Sequence, residues 1–224
     1  MNPPDTAFSA RLRAETREAH QTAESQRYIS ALTAGELGVA GYTTLVVQHY
    51  VIYEALESVA EMMRHDPLVG PFVDDALTRL PALAKDLQFL LGPDWRQRIE
   101  PTPATTAYAA RINAVCASAP HFIAHHYTRY LGDLSGGRHI GRCVSRYYGI
   151  TGDAGAAFYR FDEITDPKSY KETYRARLDA LALALDAAGR TDLLDEVLVA
   201  YRHNTAVFTD LARLAPATTR EGAA

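Results

Sequence analysis

Cysteine is nearly missing from this chain. Cys116 and Cys143 are the only two among 224 residues, and no CxxC pair occurs. A disulfide framework and a cysteine-held iron–sulfur cluster are therefore excluded, and a reducing compartment is expected. Long apolar runs are missing too: none approaches the roughly 18 residues that a membrane-spanning helix needs. Charge of neither sign prevails. The 23 lysines and arginines face 27 aspartates and glutamates, a net charge of -4, so nothing points to nucleic acid as a main partner. Met1-Asn2-Pro3-Pro4-Asp5 has neither a basic start nor an apolar stretch and does not read as a signal peptide. The expected location is cytoplasmic, with no membrane anchor. Strand-like alternation is almost absent, as are repeats and Gly/Ser linkers, while helical spacing recurs throughout. No glutamate is followed three residues later by histidine, which excludes the paired Glu-x-x-His motif of a di-iron bundle. Flavin and nicotinamide motifs are likewise absent, so any redox chemistry needs electrons from another protein.

What remains is an all-α chain, 47% hydrophobic and able to bury a sizeable core. The expected architecture is one helical bundle of about eight helices over residues 9–214, with flexible tails at 1–8 and 215–224. One stretch stands out, Tyr127-Thr128-Arg129-Tyr130-Leu131-Gly132-Asp133-Leu134-Ser135-Gly136-Gly137, inside a segment that reads as a long helix from Pro120 to Gly149. Each interior glycine costs roughly 1 kcal/mol against alanine. Gly132, Gly136, Gly137 and Gly141 are therefore an expensive choice. Gly132 and Gly136 fall one turn apart, giving a bare face that lets backbone approach something flat and that weakens the helix enough to bend. Tight helix–helix packing is the competing reading. Asp133 sits beside the bare face.

The first helix is expected to start near Asp5–Ser9 and to run to about Glu24. Arg13, His20 and Glu24 share one of its faces, with Arg13 about 10 Å along the axis from His20. A histidine beside a carboxylate that can orient its ring is a common metal-ligand arrangement. A surface histidine in a charged helix is the alternative. The next long helix spans roughly Val39–His65, with Leu45, His49, Tyr50, Tyr53 and Leu56 among its packing positions. A shorter helix over about Val69–Leu91, interrupted near Pro81, and another near Thr105–Ala117 read as scaffold. His121 and His125, at i,i+4, could pair on a divalent metal, but a solvated helix end explains them as well. Asp166-Pro167 is a strong start for a helix reaching Gly189. Lys168, Lys171, Arg175 and Arg177 crowd its first half, where the helix dipole disfavours cations; this calls for an anion, or for water and Glu172. The last helix is expected from about Thr191 to Leu214.

Together these motifs resemble the heme oxygenase family. The stretch Tyr127–Gly137 is similar to that family's distal-helix signature almost letter for letter, and Leu12–Glu24 resembles its proximal-ligand helix. Further matches are Tyr53-Glu-Ala-Leu-Glu57, Phe158-Tyr-Arg-Phe161, Tyr170-Lys-Glu-Thr-Tyr-Arg175, and Asn204 with Phe208. The resemblance extends from about residue 9 to 212. It implies a heme b, at once cofactor and substrate, sandwiched between a proximal helix and a kinked glycine-rich distal helix.

By the same resemblance His20 would be the axial iron ligand and Glu24 its partner. Gly132 and Gly136 would pass over the distal heme face, Asp133 would hold a water network that delivers protons to dioxygen, and Tyr53 and Arg129 would belong to that network. Arg13, Lys171 and Arg175, with Tyr127 close by, would hold the two propionates, and Phe208 would contact the ring. The family usually has lysine where Arg13 stands, which keeps the charge but changes the hydrogen-bond geometry. The implied reaction uses dioxygen and opens the macrocycle at a meso carbon, usually the α edge, to biliverdin, carbon monoxide and ferrous iron. Implied partners are a separate ferredoxin or flavin-reductase type electron donor, and the implied state is a monomer. Competing functions are a non-catalytic heme carrier and a vitamin-processing bundle of similar shape without an iron ligand at His20.

Overall fold

A computed structural model describes residues 7–150 and 153–214. Among these residues there are ten α-helices and no strand, so the all-α expectation holds and the count of about eight is low. The N-terminal tail expected at 1–8 lies mostly outside the described residues, except that Phe8 is already helical; the tail at 215–224 lies wholly outside them.

The first expected helix is two: α1 (Phe8–Glu15) and α2 (Arg17–Glu24). They part at Thr16, whose hydroxyl donates to the Leu12 carbonyl at 2.8 Å. A threonine bonded back into the preceding turn bends a helix, which the apolar spacing does not reveal. α3 (Arg27–Ala34), closed by Gly35 at φ 74°, has no counterpart in the sequence reading. At eight residues it is too short to show periodicity, and packing holds it: Tyr28 and Leu32 are buried, and the Tyr28 hydroxyl donates to the Gly41 carbonyl at 2.7 Å.

α4 (Val39–Met62) matches its expectation closely. The shorter helix expected over Val69–Leu91 is instead two 3₁₀ turns, Gly70–Phe72 and Asp75–Leu77, followed by α5 (Leu80–Leu91). Pro81 opens α5 rather than interrupting a helix, because the first turn has no internal use for its missing N–H. Glu57 of α4 accepts from the Arg79 and Leu80 amides at 2.5 and 3.3 Å and so covers the start of α5. α6 (Pro103–Ala114) is capped by Thr102, which accepts from the Thr105 amide at 3.2 Å.

The glycine segment consists of α7 (Ala119–Gly132), one π-helical turn at Asp133–Gly137, and α8 (Arg138–Tyr148). The expected weakening takes the form of a π-bulge, a feature that tends to occur at functional sites. α9 (Pro167–Ala184) begins as expected: the Asp166 carboxylate accepts from Lys168 and Ser169 amides at 2.9 and 3.2 Å. It ends before Gly189, which belongs to α10 (Ala187–Leu214). Asp186 accepts from the Gly189 amide at 2.8 Å and caps the new helix, so the boundary falls on an aspartate rather than on the glycine.

α10 packs along α7 over the most extensive helix pair in the bundle, and α4 lies against α5, α6 and α10. α2 also rests on α10, while α1 rests on α9. The loop over 157–159 is pinned from below: buried Asp86 accepts from the Ala157 and Phe158 amides, each at 2.8 Å. That places Phe158 and Tyr159 against α4 and the glycine segment.

Candidate active site

Between α2 and the glycine segment, with α10 as a third wall, lies an open cleft formed of two adjoining cavities of about 140 and 550 Å³. His20, Glu24, Gly132 and Gly136 line both. The glycines divide into two pairs with different reasons. A Cβ placed on Gly141 would come within 2.9 Å of the Tyr159 Cβ, and one on Gly137 within 3.4 Å of its ring, so these two serve close packing. A Cβ on Gly132 or Gly136 would meet no atom of the protein within 4 Å. Nothing in the fold requires those two to be bare, and both face the cleft. Gly137 and Gly141 thus serve close packing, though against the Tyr159 turn rather than another helix, while Gly132 and Gly136 leave open space on the cleft side.

Across the cleft, His20 on α2 is half-exposed, with Nε2 3.3 Å from the Glu24 carboxylate. The Tyr201 ring of α10 meets it edge-on at 5.8 Å. The ring is therefore braced by two neighbours yet open to the cleft.

Behind the glycine side is a polar network drawn from three helices. The Tyr53 hydroxyl donates to the Asp133 carboxylate. Arg129 lies with its guanidinium 5.0 Å over the Tyr53 ring and donates to the Asn204 side-chain oxygen at 2.8 Å. Burial pushes the Asp133 carboxyl up from its ordinary value, against the Arg129 charge and the Tyr53 hydrogen bond, which pull it down. Burial alone would lower the Arg129 guanidinium; the charges of Tyr53 and Asp133 outweigh it and hold Arg129 above its usual value. Arg129 and Asp133 line the cleft, whereas Tyr53 is fully buried and stands behind Asp133.

The cleft mouth is cationic. Arg13 and Arg175 line the larger cavity, and Lys171 donates to the Ser135 hydroxyl of the π turn at 3.1 Å. Partial burial lowers the Lys171 ammonium, and the charges of Arg175 and Arg13 lower it further. Burial raises the Tyr127 phenol, while the same two arginines pull it down, which places all four groups in one field. Among the described residues none of these three cations forms an ion pair, and Glu172 takes none of them as partner. Phe208 lies in the apolar part of the wall.

The His121/His125 metal pair is not assembled. His121 bonds to the Ser118 hydroxyl at 2.7 Å, while His125 turns inward to Glu196 at 2.8 Å, and Glu196 is also held by Arg111. The expectation of a solvated helix end fails for His125, which is fully buried because α10 covers the start of α7. Among the described residues no group of three or more His, Cys, Asp or Glu could hold a metal ion. Sequence reasoning also missed three lining residues. His49, Tyr159 and Tyr201 face the cleft, though His49 reads only as a packing position, Tyr201 only as part of the apolar face expected of the last helix, and Tyr159 only as part of a motif.

A family model described as heme oxygenase matches residues 6–210. The chain belongs to the heme oxygenase family. A heme oxygenase from Rhodella violacea is 36% identical over 210 residues, covering 92% of this chain and 88% of the relative. The crystal structure of heme oxygenase-1 from the cyanobacterium Synechocystis, solved in complex with heme, superposes with a TM-score of 0.86 at 33% identity, covering 93% and 94% of the two chains. A TenA homologue from P. horikoshii shares the fold alone, with a TM-score of 0.67 at 15% identity over 93% and 99% of the two chains. The bundle by itself therefore does not decide among chemistries; the cleft does. No helix among the described residues is long and apolar enough to cross a membrane.

Proposed function

We propose that this protein binds heme as its substrate and cleaves it, with dioxygen and electrons from a separate donor, to biliverdin, carbon monoxide and ferrous iron. The observation that carries this reading is the pair Gly132 and Gly136, bare toward a cleft where no protein atom demands it, with His20 on the facing wall. A flat macrocycle with a central metal and two carboxylates suits the three features together. The glycines admit its plane, His20 offers a nitrogen to the metal, and Arg13, Lys171 and Arg175 offer charge to the carboxylates.

When bound, heme supplies the redox metal and the carbon that is oxidised. The protein's share is positional. His20, steadied by Glu24 and Tyr201, would hold the group from the α2 wall, across the cleft from the glycines. The backbone of Gly132 and Gly136 limits how a small ligand can lean. Asp133 is a carboxylate raised by burial, tied by one oxygen to Tyr53, and it lines the cleft. It can hold a proton and pass it to a small ligand in the cleft without being a strong acid. Arg129, fixed by Asn204, sets its charge in the field of that carboxylate. A heme carrier would need the histidine and the cations but not this buried network.

The fold and family also fit a monomer acting in a reducing compartment, with the donor of ferredoxin or flavin-reductase type. Single-turnover spectroscopy tests the main reading. Protein with one equivalent of hemin is given reductant, catalase and oxygen. The expected result is Soret loss with carbon monoxide release and a biliverdin band. A complex that stays intact through repeated reduction would overturn catalysis in favour of carriage.

A further inference from the structure

His49 is the cleft residue that the proposed chemistry leaves unused. It sits on α4 one turn before Tyr53, with the two rings 6.4 Å apart, and packs 4.8 Å from the Phe158 ring. It is 7% exposed and lines the same cavity as His20, Gly132 and Asp133. Among the described residues neither ring nitrogen makes a hydrogen bond, and only Nδ1 is sealed from solvent, so Nε2 is the nitrogen open to the cleft. A buried imidazole without a partner is costly, and such a group in a native cleft asks for a ligand.

A second orphan nearby decides the tautomer. The Nε of Arg129 is also buried without a partner, and the Arg129 charge acts on His49. Guanidinium Nε–H is a donor only. If Nδ1 carried the imidazole proton, two buried donors would face one field with no acceptor. If Nδ1 is the lone-pair side, it is stabilised by that charge, directly or through one water, and the proton lies on Nε2. Burial first, and the Arg129 charge second, hold the imidazole well below its ordinary value, which keeps it neutral at working pH.

We infer that His49 is a positioning residue of the cleft: it keeps Nδ1 on its buried side, within the field of Arg129, and offers its Nε2 proton as a hydrogen bond to a small ligand or water on the glycine side. This inference rests on the heme reading for the identity of that ligand. It adds a donor from α4 to the Asp133 network on α7, so the ligand is held from two directions.

Two measurements test it. In the protein without hemin, nitrogen-15 NMR of the His49 ring is expected to show protonation at Nε2 only, unchanged from pH 5.5 to 8. A proton on Nδ1, or a charged ring in that range, overturns the inference. In the hemin-loaded protein, azide serves as the ligand probe. His49→Leu is expected to weaken azide binding about fivefold, the size of one lost hydrogen bond. His49→Gln, which keeps an N–H, is expected to restore most of it, with both variants melting near the parent. Equal azide affinity in His49→Leu and parent overturns the donor role and makes His49 wall only. A low-spin parent spectrum that becomes high-spin in His49→Leu also overturns it, by making His49 an iron ligand. If the parent takes up no hemin at all, the heme reading fails, an outcome distinct from a parent that binds hemin and a variant that behaves identically.

Discussion

Tyr53 and Asp133 stand eighty residues apart in the chain and share one hydrogen bond, tyrosine donating to carboxylate, beside the guanidinium of Arg129. The bond occupies one oxygen of Asp133, and the residue lines the cleft. Asp133→Ala is expected to bind hemin normally and to lose ring hydroxylation by at least about a hundredfold, the usual range for a proton-handling group. Tyr53→Phe should lose less, since the carboxylate stays beside Arg129. Single-turnover absorbance with chromatography of the product measures both; an ordinary biliverdin yield from Asp133→Ala removes the carboxylate from the mechanism.

The two glycine pairs predict opposite signatures. Gly141→Ala pushes a Cβ to within 2.9 Å of the Tyr159 Cβ and should cost about 1–3 kcal/mol of stability, partly offset by helix propensity. Gly136→Leu meets no protein atom at its Cβ, so thermal melting should hold or rise slightly. Its hemin complex should instead show blocked oxygen access or a different cleavage position. A melt that falls for Gly136→Leu with unchanged product would make that glycine a packing residue.

His20 is half-exposed, and its replacement leaves no large cavity. His20→Ala should fold with the parent's melting temperature and bind hemin with an altered Soret band, and added imidazole should shift that band back. Parent-like spectra from His20→Ala without imidazole would assign the iron to another ligand.

Lys171 and Arg175 are cations without an anionic partner among the described residues. Arg175→Glu should weaken hemin binding roughly tenfold at low salt, with a smaller difference at 0.5 M salt as screening grows. It should stabilise the free protein slightly, by relieving repulsion with Arg13 and Lys171. Salt-independent hemin affinity in parent and variant alike would remove the charge pairing.

Acid should unfold this protein through its buried histidines, His49 of the cleft among them. His126 is buried against the Tyr174 hydroxyl, and burial pushes it down to about 3, with Asp74 opposing. A histidine whose folded value lies below its unfolded value near 6.5 contributes stability that is complete above about pH 6.5 and is lost as pH falls toward the folded value. The unfolded chain then binds more protons, at about 1.4 kcal/mol per pH unit for each such group. Urea melts at pH 7.5, 5.5 and 4.5 should show this decline, and His126→Gln should flatten it by about one proton. An identical slope in that variant would assign the acid sensitivity elsewhere, with His49 and His125 as the next candidates because burial lowers both.

Much of the cleft was legible because its residues are chemically conspicuous at short range. Glycines inside a helical run, a histidine one turn from a carboxylate and lysines crowding a helix start each violate a local preference. Such violations point to something outside the local structure. The bundle was legible through periodicity for the same reason that α3 was not: a helix of eight residues shows too little period, and it is held by contacts that arrive from elsewhere in the chain. The bend at Thr16 depends on one side-chain hydrogen bond, and the boundary at Asp186 on another. His49 and His125 read as a packing position and a solvated end because both fall in patterns that suit those readings; only the opposing helices reveal an unpaired ring in a cleft and a buried hydrogen bond to Glu196.

The break at Thr16 divides more than a helix. α1, which carries Arg13, is fastened to α9 through Ser9, whose amide and hydroxyl both donate to Asp179 at 2.7 and 3.1 Å, and α9 carries Lys171 and Arg175. α2, which carries His20, is fastened to α10 through Tyr201. One residue thus acts as the joint between two jaws, one gripping by charge and the other by ligation. A molecule spanning both would lock the joint, so its arrival should be felt as stiffness along residues 8–24 rather than as a change of shape.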